Sequence, residues 1–291
     1  MTEPPQPDTR RIVLADGRSL AYAECGAPDG RPVLAFHGLP GSRLQRHPDE
    51  SIARAAGLRV VHVDRPGFGR SSPQHGRTIA DWPRDVAALA DRLGLDRFAV
   101  AGISGGGPYA LACAASLGGR VSRAAIASGV GPPGSMAGRM TVARLGFFLA
   151  AHAPWSLRAP VAAVARLAVH DPQRYLDLLA ARMAPADRPI LARPEVRAMF
   201  AQDLREAFRH GVEAFVADLR LVGRPWGFPL DRIACEVALW HGEEDRVVPA
   251  SAALHLAGMI PGARTHFAPR EGHFMVLDRW PEICAWLAST P

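Results

Sequence analysis

Short apolar runs alternating with helix-length stretches constrain this chain more than any other feature. Residues 33–36, 60–63, 98–103 and 124–127 form runs too short for helices and too uniformly apolar for strands with one wet face. Between them lie stretches of helical length, such as 79–93 and 109–117. Strands that alternate with helices predict a parallel sheet whose two faces are both covered. Upstream, RIVLADGRSLAYAECG places two apolar runs around Asp16-Gly17, a hairpin signal. The alternation resumes with a run at 237–240, a helical 250–259, an apolar 265–267 and a final helix near 281–287. About eight strands are expected in all.

From 131 to 227 the alternation stops. Helical patterns replace it, including DPQRYLDLLAARM and AQDLREAFRHGVEAFVADLRLV, punctuated by prolines. With 291 residues, the chain has room for one large α/β core plus an insertion. The expected division is a disordered, Pro-rich tail at 1–10, a core at 11–130 and 228–291, and a helical lid at 131–227. No internal repeat is present.

Composition excludes several classes. All 34 basic residues are arginine, but 28 acidic residues are interleaved with them and the net charge is only +6. Nucleic acid is therefore not an expected partner, because no basic block with alternating aromatics occurs. Cys25, Cys113, Cys235 and Cys284 are far apart and have no metal-ligand spacing, so they read as packing thiols. The N-terminus lacks an apolar core of the kind a secretory signal needs, which makes the cytoplasm the expected location. The Ala-rich segment 144–169 is interrupted by His152, Pro154, Arg158, Pro160 and Arg166, which argues against a membrane span.

The sharpest motif is Gly102-Ile103-Ser104-Gly105-Gly106, a G-x-S-x-G directly after the run 98–101 and before a helix-forming stretch. A serine on a tight strand-to-helix turn needs flanking glycines, Gly102 and Gly106, because its backbone crowds neighbouring side chains. The turn lifts Oγ clear of the sheet. The helix N-terminus behind it favours developing negative charge. Serine is a weak nucleophile and requires a base within hydrogen-bond reach.

On these residues the chain resembles the α/β-hydrolase superfamily, specifically its serine hydrolases. The resemblance covers residues 11–130 and 228–288 and includes Asp64-Arg65-Pro66-Gly67-Phe68-Gly69-Arg70-Ser71-Ser72, which resembles a structural turn of the family. It implies an eight-stranded, mostly parallel sheet with helices on both faces and a lid insertion. It also implies the order serine, acid, histidine along the chain.

That order leaves His255, His266 and His273 as candidate bases after Asp245. His255 falls in a helical pattern and His266 in a short strand; His273 lies in Glu271-Gly272-His273-Phe274, a Gly-marked loop, and is the expected base. The loop after 237–240 holds Glu243, Glu244 and Asp245. Resemblance favours Asp245, which precedes a short apolar pair and Pro249. An alternative acid position of the family, after the strand preceding the insertion, reads Ser128-Gly129-Val130-Gly131 and holds no carboxylate. His37-Gly38-Leu39-Pro40 resembles the HGxP oxyanion loop. Pro40 cannot donate, so the Leu39 and Gly105 amides are the expected oxyanion donors. His37 is read as shaping this loop, and Asp64 as binding local backbone amides.

The reading that follows is a serine hydrolase of a carboxylic ester or related acyl substrate, with Ser104 as nucleophile, His273 as base and Asp245 as orienting acid. No metal or cofactor is expected. The partner is a small, apolar acyl substrate; a homodimer is left open. Phe147, Phe148, Trp155, Met183 and Phe215 give the lid its apolar content, for which packing against the body competes with lining a pocket. The alternatives are a proline-aminopeptidase-like enzyme, a hydrolase of carbon–carbon bonds, or a non-catalytic receptor on the same fold.

Overall fold

The computed structural model describes residues 9–135 and 142–289. The first strands are β1 (Arg10–Val13), β2 (Ser19–Gly26), β3 (Arg31–Phe36) and β4 (Leu58–Val63), with α1 (Ser51–Ala55) before β4. Next come α2 (Trp82–Arg92), β5 (Phe98–Ile103), α3 (Gly107–Ser116) and β6 (Val121–Ala127). Among the described residues six helices follow without a strand: α4 (Val142–His152), α5 (Arg158–His170), α6 (Pro172–Arg182), α7 (Asp187–Ala192), α8 (Pro194–Ala207) and α9 (Glu213–Val222). The chain ends with β7 (Glu236–Gly242), α10 (Ser251–Met259), β8 (Arg264–Ala268) and α11 (Val276–Ala288).

The eight strands make one sheet in the order β1-β2-β4-β3-β5-β6-β7-β8. Only the β1–β2 and β2–β4 pairings are antiparallel. The uniformly apolar strands have a simple cause: successive residues point to opposite faces, and both faces are covered. On β3, Leu34 and Phe36 join one core with Val86, Leu89 and Leu111; Val33 and Ala35 join a second with Trp240, Trp280 and Ile283.

Arg10, assigned from the sequence to a disordered tail, instead opens β1, and Thr9 Oγ1 accepts the Arg43 guanidinium at 2.7 Å. Residues 1–8 of that tail lie outside the described residues. The last helix starts at Val276, five residues before the expected 281, and carries Pro281 within it. A proline there leaves the carbonyl four residues back without its helical donor. That carbonyl, on Leu277, accepts His47 Nε2–H at 3.1 Å. No described helix is long and apolar enough to cross a membrane.

Candidate active site

Ser104 sits between β5 and α3 with φ of +51°, in the left-handed region that side chains rarely occupy. Its neighbours explain how that conformation is reached. A Cβ on Gly102 would stand 2.6 Å from the Gly106 carbonyl oxygen, and one on Gly106 would run into the Phe36 and His37 carbonyls. Both glycines are therefore required by packing. The turn holds Oγ at the carboxyl edge of the sheet, with the N-terminus of α3 behind it.

His273 follows β8 in a single helical turn, and Asp245 follows β7. Ser104 Oγ–H donates to His273 Nε2 at 3.1 Å, and His273 Nδ1–H donates to Asp245 Oδ2 at 2.7 Å. The second carboxylate oxygen, Oδ1, accepts the Val247 and Val248 amides at 2.8 and 2.9 Å. Three residues from distant parts of the sequence thus form one hydrogen-bonded line. Burial opposes charge on both partners. Even so, the His273 and His241 rings hold Asp245 below the usual carboxylate range, and Asp245, with Asp187, raises His273 above its ordinary value.

The remaining candidates fall elsewhere. His255 is an exposed residue of α10, and His266 lies in β8, stacked on Trp240 at 4.7 Å. Glu243 and Glu244 are exposed. Asp64 is fully buried and accepts the Arg43 and Arg70 amides at 2.6 and 2.9 Å, with an Arg43 ion pair that sequence reasoning did not foresee.

The loop after β3 faces the serine: a Cβ on Gly38 would stand 3.5 Å from Ser104 Cβ. The Leu39 N–H has no protein acceptor among the described residues. Gly105 stands too early in its helical turn to donate within it. Leu39 N lies 3.6 Å from where a Cβ of Gly105 would be, so the two segments that carry these amides are adjacent. The Leu39–Pro40 bond is cis. His37 donates from Nδ1 to Gly38 O at 2.9 Å and accepts the Arg65 amide on Nε2 at 3.2 Å. Burial and the neighbouring Arg65 push its pKa well down, which keeps the ring neutral.

Sequence reasoning missed the groups that hold these loops. Arg65 donates to the carbonyls of His37 and Gly38 and pairs with Asp218 of α9 at 2.9 Å. Asp218 also takes Arg77 and, at 2.7 Å, the Tyr109 hydroxyl. Asp203 of α8 accepts Ser42 N and Oγ at 2.7 Å each and Gln45 Nε2 at 3.1 Å, while Gln45 Oε1 accepts the Gly38 amide at 2.5 Å. Asp187 of α7 accepts the His273 and Phe274 amides at 3.1 and 2.8 Å. Ser128, where the family's alternative acid would stand, donates its hydroxyl to His273 O at 2.9 Å. The three aspartates lie in no motif, and the partners named for them are 86 or more residues away.

Two cavities, of about 170 and 300 Å³, meet at Ser104. Leu39, Pro40, Tyr175 and Val247 line both. Phe147 and Phe215 line the larger cavity and Met183 the smaller. Phe148 and Trp155 line neither and are 57% and 75% exposed. Among the described residues, no group of three or more His, Cys, Asp or Glu could hold a metal ion.

Known proteins resemble this chain in sequence and in fold. A 2-hydroxymuconate semialdehyde hydrolase of Pseudomonas putida is 28% identical over 96% of this chain and 92% of its own. A proline iminopeptidase of Xanthomonas citri is 37% identical, but over only 36% of this chain and 34% of its own. Among solved structures, an esterase from Rhodococcus sp. ECU1013 superimposes with a TM-score of 0.71 at 22% identity, covering 97% of this chain and 99% of that one. The family model described as alpha/beta hydrolase fold matches residues 31–279, and the chain belongs to that family.

Proposed function

We propose that this chain is a serine hydrolase of apolar acyl substrates, carboxylic esters first among them. The observation that carries the reading is the unbroken line Ser104 Oγ, His273 Nε2, His273 Nδ1, Asp245 Oδ2, at 3.1 and 2.7 Å, beside the Leu39 and Gly105 amides, which have no protein acceptor among the described residues. Ser104 attacks the substrate carbonyl as His273 takes its proton. The tetrahedral oxyanion is held by the Leu39 and Gly105 amides. His273 then gives the proton to the leaving alcohol, and a water that it activates clears the acyl group from Ser104. Asp245 keeps Nδ1 protonated, so that Nε2 is the nitrogen that takes and returns the proton, and its charge stabilises the imidazolium formed in between. Helices α4–α9 form the lid over this centre, and the apolar walls of both cavities suit an uncharged substrate.

A second reading keeps the same three residues and acts on a substrate like that of the Pseudomonas putida hydrolase. The match over nearly the whole of both chains favours it above the iminopeptidase reading, which rests on about a third of each. The test is hydrolysis of p-nitrophenyl esters from acetate to decanoate by wild type, Ser104→Ala and His273→Ala. Turnover lost in both variants supports the serine mechanism, and the best chain length sizes the acyl cavity. No turnover in the series, with Ser104 inert to a fluorophosphonate, overturns it in favour of a binding protein on this fold.

A further inference from the structure

His273 is fixed at more points than its two partners in the line account for. Its carbonyl takes the Ser128 hydroxyl, while its amide and that of Phe274 both donate to Asp187. Asp187 is fully buried and comes from α7, eighty-six residues upstream, within the helical insertion. Each of its oxygens takes a different amide: Oδ2 that of His273, Oδ1 that of Phe274. Such a pair of acceptors requires a carboxylate, because an amide side chain would aim its NH₂ at one of the two donors. The approach is so close that a Cβ on Gly272 would overlap the carboxylate.

We propose that Asp187 is a positioning residue for the base, a carboxylate by which the insertion sets where His273 stands relative to Ser104 and Asp245. This rests on the serine-hydrolase reading of the site. Asp187 touches neither the reacting atoms nor the imidazole nitrogens. It acts through the backbone of His273 and through its negative charge near the ring, which adds to the effect of Asp245 in favouring the imidazolium. The insertion is therefore part of the catalytic apparatus as well as its cover.

The experiment is the pH profile of kcat and KM for an active p-nitrophenyl ester, measured on Asp187→Asn and Gly272→Ala beside wild type. Ser104→Ala, expected to abolish turnover, checks the underlying reading on its own. Asp187→Asn removes one acceptor and the charge. It should lower kcat by about 10²-fold, as small misplacements of a catalytic group do, leave KM nearly unchanged and move the acid limb to lower pH. Gly272→Ala keeps the charge but displaces the carboxylate, so kcat should fall with the acid limb moved less than in Asp187→Asn. Circular dichroism gives the folded fraction by which each rate is corrected. If the corrected kcat and the acid limb of Asp187→Asn both match wild type, Asp187 serves only folding and the proposal is overturned.

Discussion

Asp245 Oδ2 receives His273 Nδ1–H at 2.7 Å, and His241 Nε2, which donates to Val248 O at 2.8 Å, stands 3.4 Å from the same oxygen. With Oδ1 taken by two amides, the carboxylate has one strong use left, to fix the tautomer of His273. To act as the proposed general base, that ring must be neutral. Burial pulls its pKa down, but Asp245 outweighs burial and the net shift is upward. The acid limb of kcat/KM should therefore lie above the ordinary histidine value of about 6.5. Asp245→Asn should move it to lower pH and reduce kcat by about 10³- to 10⁴-fold through the wrong tautomer. Ester hydrolysis from pH 5 to 9 reads both.

Ser104 holds a left-handed backbone at a cost of about 1–3 kcal/mol. Glycine adopts that conformation without strain. Ser104→Gly should thus raise the thermal midpoint by a few degrees while abolishing turnover, whereas Ser104→Ala abolishes turnover without that gain. A scanning calorimetry comparison of the two variants with wild type checks it. Equal midpoints would mean that the surrounding loop relaxes and no strain is held at the serine.

The contrast between what the sequence disclosed and what it hid follows from the range of the interactions. Ser104 announces itself because its conformation is imposed locally, by glycines two residues to either side. The strands are legible for a similar reason: 33–36 and 98–103 are buried on both faces, so their apolar character is unbroken. Asp187, Asp203 and Asp218 carry no such mark. Each is a carboxylate in a helix, where an acidic residue ordinarily faces water, and only the fold brings it against the His273, Ser42 and Arg65 groups 86 to 161 residues away. The expectation for Phe148 and Trp155 missed for the related reason that periodicity shows a helix has an apolar face without showing what covers it.

Among the described residues Asp218 is the sole carboxylate set against both Arg65 and Arg77, and its side chain is fully buried. Removing it leaves two guanidiniums in a site with little water. Asp218→Ala should destabilise the fold by about 3–5 kcal/mol, the usual result of stripping one partner from a buried pair. It should also loosen the His37 and Gly38 carbonyls that Arg65 holds. The exposed pair Arg158–Glu213 is the control: Glu213→Ala should change stability by about 1 kcal/mol or less. Urea denaturation of the two variants measures the difference, and similar losses in both would show that burial does not govern these pairs.

Asp203 links pH to stability through the same insertion. Burial raises its carboxyl from 3.8 to about 7, against the opposing pull of Ser42 and Gln45. The folded state therefore binds a proton that the unfolded chain has already released between those two values. Stability from this group is fully present below about pH 4 and is lost as pH rises through about 7. Asp203→Asn cannot ionise, so it removes that dependence. It also adds a pH-independent cost, because its NH₂ meets the Gln45 amide that Asp203 Oδ2 accepts. The stability of Asp203→Asn relative to wild type should accordingly start low at pH 4 and rise steadily toward pH 7. Urea denaturation at half-unit intervals gives the slope. A difference that stays flat across this range would mean that Asp203 remains ionised throughout, sustained by its three hydrogen-bond donors.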